Sequence, residues 1–501
     1  MNTNIKIAKE SAISFSGMGV GQVLRYIFTT LLARWVGVEL LGMYSIANAV
    51  TRIFEVMGKL GLDQGALRAV SREEQNLGKQ SVILSALKMG VISGLLCMLV
   101  QISLAGWLAE NVFHQSTLLT KVITIHALSL PFYIIIHISA NSTQAYKFLK
   151  YKIFVTEFQN PLILLLAMVL CYIFYSSESA IIIPVLIAAI LGCVTISIFL
   201  KNISGVNIVS VRQGVFDKNI LYYSFPIMFI AILGTVLHWT DIFMLGYFTD
   251  TTTVGLYHPA ARTAGIIRII LFSFIGIYGP IIAEMYSKKQ TEQINHIFKL
   301  VTRWIITFSL PFAILILLYP RKIMLIFGGD FIDGYSILMI LVTANFIHAV
   351  FGIGGTTLNM TGFPKINLFN TFIGCGLNIG LNIIFIPIMG GNGAAFATLI
   401  TLSFIAIIRG FQNWKLLNLF PFGWKLLKPI SAGIVAAGSG YILKIFIISY
   451  HTVFTLICAG FVIFVIFFIV LWLLGFDEDD TGLIQGIQII LNNFRIKENS
   501  K

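Results

Sequence analysis

Apolar stretches of about twenty residues recur along almost the whole chain, and no other feature restricts its fold as severely. A helix of that length crosses a hydrocarbon core of ~30 Å while satisfying its backbone hydrogen bonds internally. Fourteen such stretches can be marked, near 11–35, 40–62, 82–107, 117–146, 152–176, 179–201, 221–249, 253–281, 297–319, 333–361, 366–389, 391–413, 425–448 and 451–475. The short alternation of apolar and polar residues that builds a β-barrel does not fit this pattern. Composition agrees: of 501 residues 57% are hydrophobic and only 11% charged, values outside the soluble range. The expected class is an all-α membrane protein of about 14 transmembrane helices.

The chain also looks duplicated. A shift of 213 residues sets Gly255-Leu256-Tyr257 on Gly42-Met43-Tyr44 and Ala260 on Ala47, with an apolar helix before each turn. Two six-helix lobes follow, 1–205 and 221–415, joined by a cytoplasmic linker at 206–220. Six crossings return the chain to its starting side, so the copies form a parallel repeat. Residues 416–475 supply two further helices without a partner in the duplication. The cytoplasmic tail 476–501 opens with Asp477, Glu478, Asp479 and Asp480, and its Leu483, Ile484, Ile487 and Phe494 suit either an interfacial helix or a frayed end.

The net charge of +13 is informative through its distribution. Lys59, Arg68, Arg72 and Lys79, then Lys147, Lys150 and Lys152, then Lys288 and Lys289, fall on alternate connections, which the positive-inside rule places in the cytoplasm with both termini. A multi-pass protein of the cell (cytoplasmic or inner) membrane is expected, with no nucleic-acid partner. The start, MNTNIKIAKES, lacks a short apolar region with a cleavage site and reads as the approach to a retained first helix. All five cysteines lie inside apolar runs without paired spacing, so neither disulfides nor a metal cluster is expected.

Polar residues inside the spans are the candidate site residues, because a charge at the bilayer centre costs ~2.5–3.5 kcal/mol on insertion scales. Asn48, Arg52, Glu55 and Lys59 make one polar stripe at helical spacing. Arg25 and Arg52, on adjacent helices, both lie ~16–18 Å below the outer surface, and paired guanidiniums suit a phosphate. The alternatives are a salt bridge from Arg52 to Glu55 and, for Arg25, snorkelling or pairing with an acid elsewhere. Within the hairpin from Ser224 to Ile270, Asp241 and Arg262 are read as a structural ion pair at one depth. His238, one turn from Asp241, either shares a proton with it in ion coupling or is simply hydrogen-bonded. Arg268 is turned about 120° from Arg262 and is the candidate cavity cation. Glu157, at the start of the fifth span, is a candidate proton-binding group, but its place near the cytoplasmic surface favours a solvated carboxylate. Gly17 with Gly21 and Gly376 with Gly380 form GxxxG pairs that suit helix contact. No Walker loop, HExxH, GxSxG or paired-cysteine motif occurs, so no catalytic residue, metal or cofactor is expected and the chain is not read as an enzyme.

The passage LNIGLNIIFIPIMGGNGAAFATLITLSF, with Asn378, Asn382, Pro387, Gly390, Gly393, Ala394, Ala395 and Thr398, resembles polysaccharide-transport proteins of the multidrug/oligosaccharidyl-lipid/polysaccharide (MOP) exporter superfamily. The hairpin, with its SFP start, Asp241 and VGLY turn, is similar to that family's seventh and eighth helices. The resemblance implies a Wzx-type flippase for undecaprenyl-diphosphate-linked oligosaccharide repeat units, working by alternating access around a cationic central cavity. The implied partners are the lipid-linked oligosaccharide, membrane lipid, a coupling ion (H+ or Na+) and polysaccharide assembly proteins. Relatives carry cavity arginines on helices one, two and eight, which Arg25, Arg52 and Arg268 match, and a groove for the lipid tail at the last two helices. A lipid II flippase and a multidrug or organic-cation exporter stand as alternatives. A membrane glycosyltransferase or polymerase fits less well, since the longest outer connection, around Pro320 to Ile332, is short.

Overall fold

The computed structural model describes residues 3–73, 75–115, 117–446 and 451–475. The first half of the chain forms α1 (Thr3–Lys59), α2 (Leu62–Arg72), α3 (Asn76–Trp107), α4 (Thr117–Leu128), α5 (Leu130–Ala145), α6 (Leu149–Ile153), α7 (Asn160–Phe174) and α8 (Ser177–Ser204). The second half forms α9 (Lys218–Phe248), α10 (Thr251–Ser287), α11 (Thr291–Leu318), α12 (Pro320–Met324), α13 (Tyr335–Phe351), α14 (Ile353–Met360), α15 (Pro364–Met389), α16 (Gly391–Leu417), α17 (Leu427–Phe446) and α18 (Thr452–Leu473). Thirteen segments are long and apolar enough to cross a membrane, and no strand occurs among the described residues. The chain is a multi-pass all-α membrane protein. The expected interfacial tail, with its acidic run from Asp477, lies outside the described residues.

The difference between fourteen expected spans and thirteen segments arises in α1. Within it two helices meet at a kink, where Gly37 has φ 81° and ψ 178°. That conformation is essentially confined to glycine, so one residue turns the first span into the second. At the equivalent place in the other copy the turn is Thr249-Asp250. There Asp250 Oδ1 accepts from Thr253 N and Oγ1 at 2.8 and 2.7 Å, capping α10.

The described chain forms two compact units. The first comprises Met1–Arg262, Phe327–Ile337 and Cys375–Thr398, and the second Thr263–Ile326, Leu338–Gly374 and Leu399–Lys501. Within the first unit the duplication is visible as a reciprocal contact. A Cβ on Gly42 would overlap the carbonyl oxygen of Thr251, and a Cβ on Gly255 would overlap the carbonyl oxygen of Val38. Thr251 and Val38 stand at the same 213-residue offset as the two glycines. The second half of α1 and the start of α10 thus cross backbone on backbone at their duplicated residues, as small residues permit in membranes.

The GxxxG pairs divide. Cβ atoms on Gly17 and Gly21 would overlap the Ile153 side chain and the Glu157 carbonyl oxygen, so this pair seats the 149–159 segment on α1. Gly376 and Gly380 face open space. In the second unit Ala432 and Ala436 of α17 pack with Ala459, Ile463 and Phe467 of α18, and Tyr319 Oη donates to Gly440 O at 2.7 Å. A wholly apolar cavity of about 430 Å³ is lined there by Ile306, Leu310, Phe346, Phe422 and Ile434.

Candidate functional site

The first unit gathers most of the predicted polar residues. Because Gly21 lets the backbone around Glu157 approach α1, Arg25, one turn further on, reaches the carboxylate, with Nη2 to Oε2 at 2.6 Å. Glu157 lies in a π-helical turn, residues Phe154–Gln159, that redirects the chain between α6 and α7. It is therefore the acid that pairs with Arg25, and its carboxylate is not simply solvated; both side chains retain about a quarter of their exposure.

Glu55 is the buried centre of the polar stripe, with only 3% of its side chain exposed. Its Oε2 accepts from Arg52 Nη1 at 2.6 Å, and its Oε1 from Lys59 Nζ at 3.3 Å and faces His137 Nε2 at 3.0 Å. The Arg52 guanidinium also lies 5.4 Å from the Tyr133 ring centroid, yet 39% of its side chain stays exposed. The two readings of Arg52 are thus compatible: one nitrogen is spent on Glu55 and the other donors of the fork are presented outward. Asn48, one turn before, is the half-buried member of an otherwise buried stretch from Leu41 to Val50.

In the hairpin the structure replaces the expected brace. The Asp241 carboxylate accepts from Asn382 Nδ2 at 2.8 Å, from Thr398 Oγ1 at 2.6 Å and from the Tyr257 hydroxyl. Among the described residues no ion pair joins it to Arg262. The reason is depth. Asp241 lies ~10 Å before the end of α9, Tyr257 ~9 Å into α10, and Arg262 ~16 Å into α10. Arg262 instead acts electrostatically with Arg25, Tyr44 and Tyr26. Tyr44, buried, is within the same reach of both Arg52 and Arg262. Arg25, Arg52 and Arg262 all belong to the first unit, linked in pairs through Tyr44 and through Arg262 itself. His238 and Arg262 both lie within electrostatic reach of His258. Arg268 belongs to the second unit.

The Asp241 cluster is rich in oxygen. Besides the carboxylate it contains Thr398 Oγ1, the Asn378 Oδ1 that accepts from Asn382 at 3.2 Å, and a buried Asn382 Oδ1 without a partner. Hard cations take such donors, and a proton would sit on the carboxylate. Thr398 and Asn382 were legible only as family-like residues; nothing in their spacing pointed to Asp241, which is more than a hundred residues away.

A model of the family described as "Polysaccharide biosynthesis protein" matches residues 7–286, more than half of the chain. The chain belongs to that family. A second model, MatE, matches residues 226–384. Two relatives come from Haloferax volcanii. "Probable low-salt glycan biosynthesis flippase Agl15" is 27% identical over 182 residues, 36% of this chain and 39% of that protein. "Probable flippase AglR" is 23% identical over 224 residues, 43% of this chain and 45% of that protein. The chain thus matches less than half the length of these relatives. Among solved structures, "Lipid II flippase MurJ, inward closed conformation" superposes with a TM-score of 0.73 at 14% identity, covering 91% of this chain and 97% of that one. An inward-facing multidrug-resistance MATE family transporter of the MOP superfamily gives 0.66 at 13% identity, covering 81% of this chain and 98% of that one. This polysaccharide biosynthesis family member has the MOP fold.

Proposed function

We propose that the protein is a flippase moving undecaprenyl-diphosphate-linked oligosaccharide repeat units from the cytoplasmic to the outer leaflet of the cell membrane, with both termini cytoplasmic. The repeats 1–205 and 221–415 serve as the lobes that exchange access. The observation that supports this reading is that Arg25, Arg52 and Arg262 all lie in the first unit, with Tyr44 within electrostatic reach of Arg52 and Arg262, and Arg25 within reach of Arg262. A diphosphate offers several oxyanions, and guanidiniums bind these with paired, charge-assisted hydrogen bonds. Arg262 joins Arg268, the cavity cation that the family resemblance implies, as a proposed diphosphate-binding residue. The family match and the flippase names of the relatives support the same substrate class. The apolar cavity lined by α11, α13 and α17 has the chemistry to accept an isoprenoid chain.

Arg262→Gln in proteoliposomes is expected to slow flipping of a fluorescent lipid-diphosphate-linked oligosaccharide by about tenfold or more, the scale of one charge-assisted contact. Expression and melting temperature should hold. Wild-type flipping by this variant would remove the basis of the proposal.

The Asp241, Asn378, Asn382 and Thr398 cluster is proposed as the coupling-ion site, for Na+ or H+. Asp241→Asn should transport at a rate that no longer responds to an imposed Na+ or proton gradient. An unchanged rate with an unchanged gradient response would refute the coupling role.

A further inference from the structure

We infer that Arg409, in the second unit, forms a binding site for an oxyanion, a phosphate or carboxylate group, in addition to the arginines of the first unit. The inference deepens the flippase reading and rests on it only for the identity of the molecule that carries the oxyanion.

Arg409 sits eight residues from the Leu417 end of α16, ~12 Å into a membrane-spanning helix. Arg25 and Arg52 each hold a carboxylate, whereas among the described residues no acid forms an ion pair with Arg409. The guanidinium's hydrogen bond among the described residues runs from Nη2 to Thr371 Oγ1 of α15 and is long, 3.3 Å. Nε is buried and has no partner. A charge in this position costs free energy at membrane depth, and a fork whose donors are mostly unspent does not recover it from the protein.

The surroundings hold the fork in a prepared position. A Cβ on Gly355 of α14 would stand 3.1 Å from Cζ, 3.2 Å from Nε and 3.3 Å from Nη1, so the guanidinium lies against the open face of that glycine. Asn413 Nδ2 donates to Gly354 O at 3.0 Å and to Arg409 O at 2.7 Å, which ties α14 to α16 at this level. Both tethers fix the base of the arginine and leave Nε unsatisfied. Arg409 thus combines a buried, unpartnered Nε, one long hydrogen bond from Nη2 and, among the described residues, no paired acid. An oxyanion supplies the missing acceptors and the missing negative charge together.

The full chain is tested in phosphatidylcholine nanodiscs, in an Arg262→Gln background that weakens the first unit's arginine group. Inorganic pyrophosphate is titrated and followed by calorimetry. Saturable binding is expected to persist in this background and to weaken by about tenfold or more when Arg409→Gln is added, the worth of one charge-assisted contact. Gly355→Ala, whose methyl presses on the guanidinium without removing it, should weaken binding in the same direction with an unchanged melting temperature. It also keeps the test valid if Arg409→Gln does not fold. Pyrophosphate binding that both variants leave intact, or no binding at all in the Arg262→Gln background, overturns the inference. Adding phosphatidylglycerol to the nanodisc distinguishes the source of the oxyanion. Competition points to a membrane-lipid headgroup, and its absence to the transported diphosphate; either result supports the site. Failure of the flippase reading would appear separately, as normal flipping by Arg262→Gln, with the Arg409 effect on binding preserved.

Discussion

Gly42→Val and Gly255→Val are each expected to leave little folded protein at the temperature where the wild type is intact in detergent. The Cβ of either residue would overlap a main-chain carbonyl, that of Thr251 or Val38 respectively, and the Gly255 amide nitrogen stands 3.2 Å from the Gly42 position. A side chain in the way can rotate aside, but a helix backbone cannot. The two helices must then separate along their whole crossing. Overpacking of a core costs ~1–3 kcal/mol even where side chains can adjust, and more is expected here. The fully buried Leu41, Ala47, Val254 and Ala260 near the crossing would lose packing together. Because both glycines serve one contact, the double variant should fall well short of the summed losses of the singles. Gly376→Ala and Gly380→Ala are the controls. Their Cβ atoms meet nothing, so the gain in helix propensity, ~0.5–1 kcal/mol, should show as an equal or higher melting temperature. Thermal unfolding followed by fluorescence-detected size exclusion measures all five variants. A Gly42→Val protein melting with the wild type would mean that the repeats do not meet in this way.

Glu55→Gln is expected to destabilise the first unit more than any change to its partners. Glu55 is the single acid among Arg52, Lys59 and His137, and it is nearly inaccessible at 3% exposure. Removing one side of a buried charge cluster leaves the remainder uncompensated, at about 3–5 kcal/mol. Arg52→Gln should cost less, because Arg52 is 39% exposed and Lys59 with His137 still neutralise the carboxylate. The two variants therefore separate stability from transport: Glu55→Gln lowers the melting temperature first, whereas Arg52→Gln lowers flipping at nearly wild-type stability. A double-mutant cycle between them reads the coupling directly. Equal melting of Glu55→Gln and wild type would show that Glu55 does not hold the cluster.

The candidate site was legible in part. Arg25, Arg52 and Asp241 stood out because a charge in an apolar run is conspicuous, and the short-range partner of Arg52 could be counted along one helix as Glu55. Partners from other helices could not be counted. Glu157 is 132 residues from Arg25, and Asn382 and Thr398 are 141 and 157 residues from Asp241. The misplacement of Arg262 has a narrower cause: an error of a few residues in locating a turn becomes several ångströms of depth at 1.5 Å per residue, enough to exchange Tyr257 for Arg262 as the neighbour of Asp241. Arg409 was overlooked because it lies near the end of an apolar run, where an arginine ordinarily reaches the interface; its pairing with Gly355 is a property of the fold.

By itself, the sequence determined the all-helical membrane architecture, the number of crossings and the duplication. These follow from hydropathy, helix length and a fixed residue offset, all of which act along the chain. Tertiary structure alone decided which cations lie within reach of one another, that Asp241 is held by neutral donors, and that the duplicated glycines press on each other's repeat. Membrane helices present much the same apolar composition on every side, so hydropathy does not specify which faces meet. Those faces are selected by small-residue contacts and by the need of each buried polar group for a partner, which become defined only once the helices are packed.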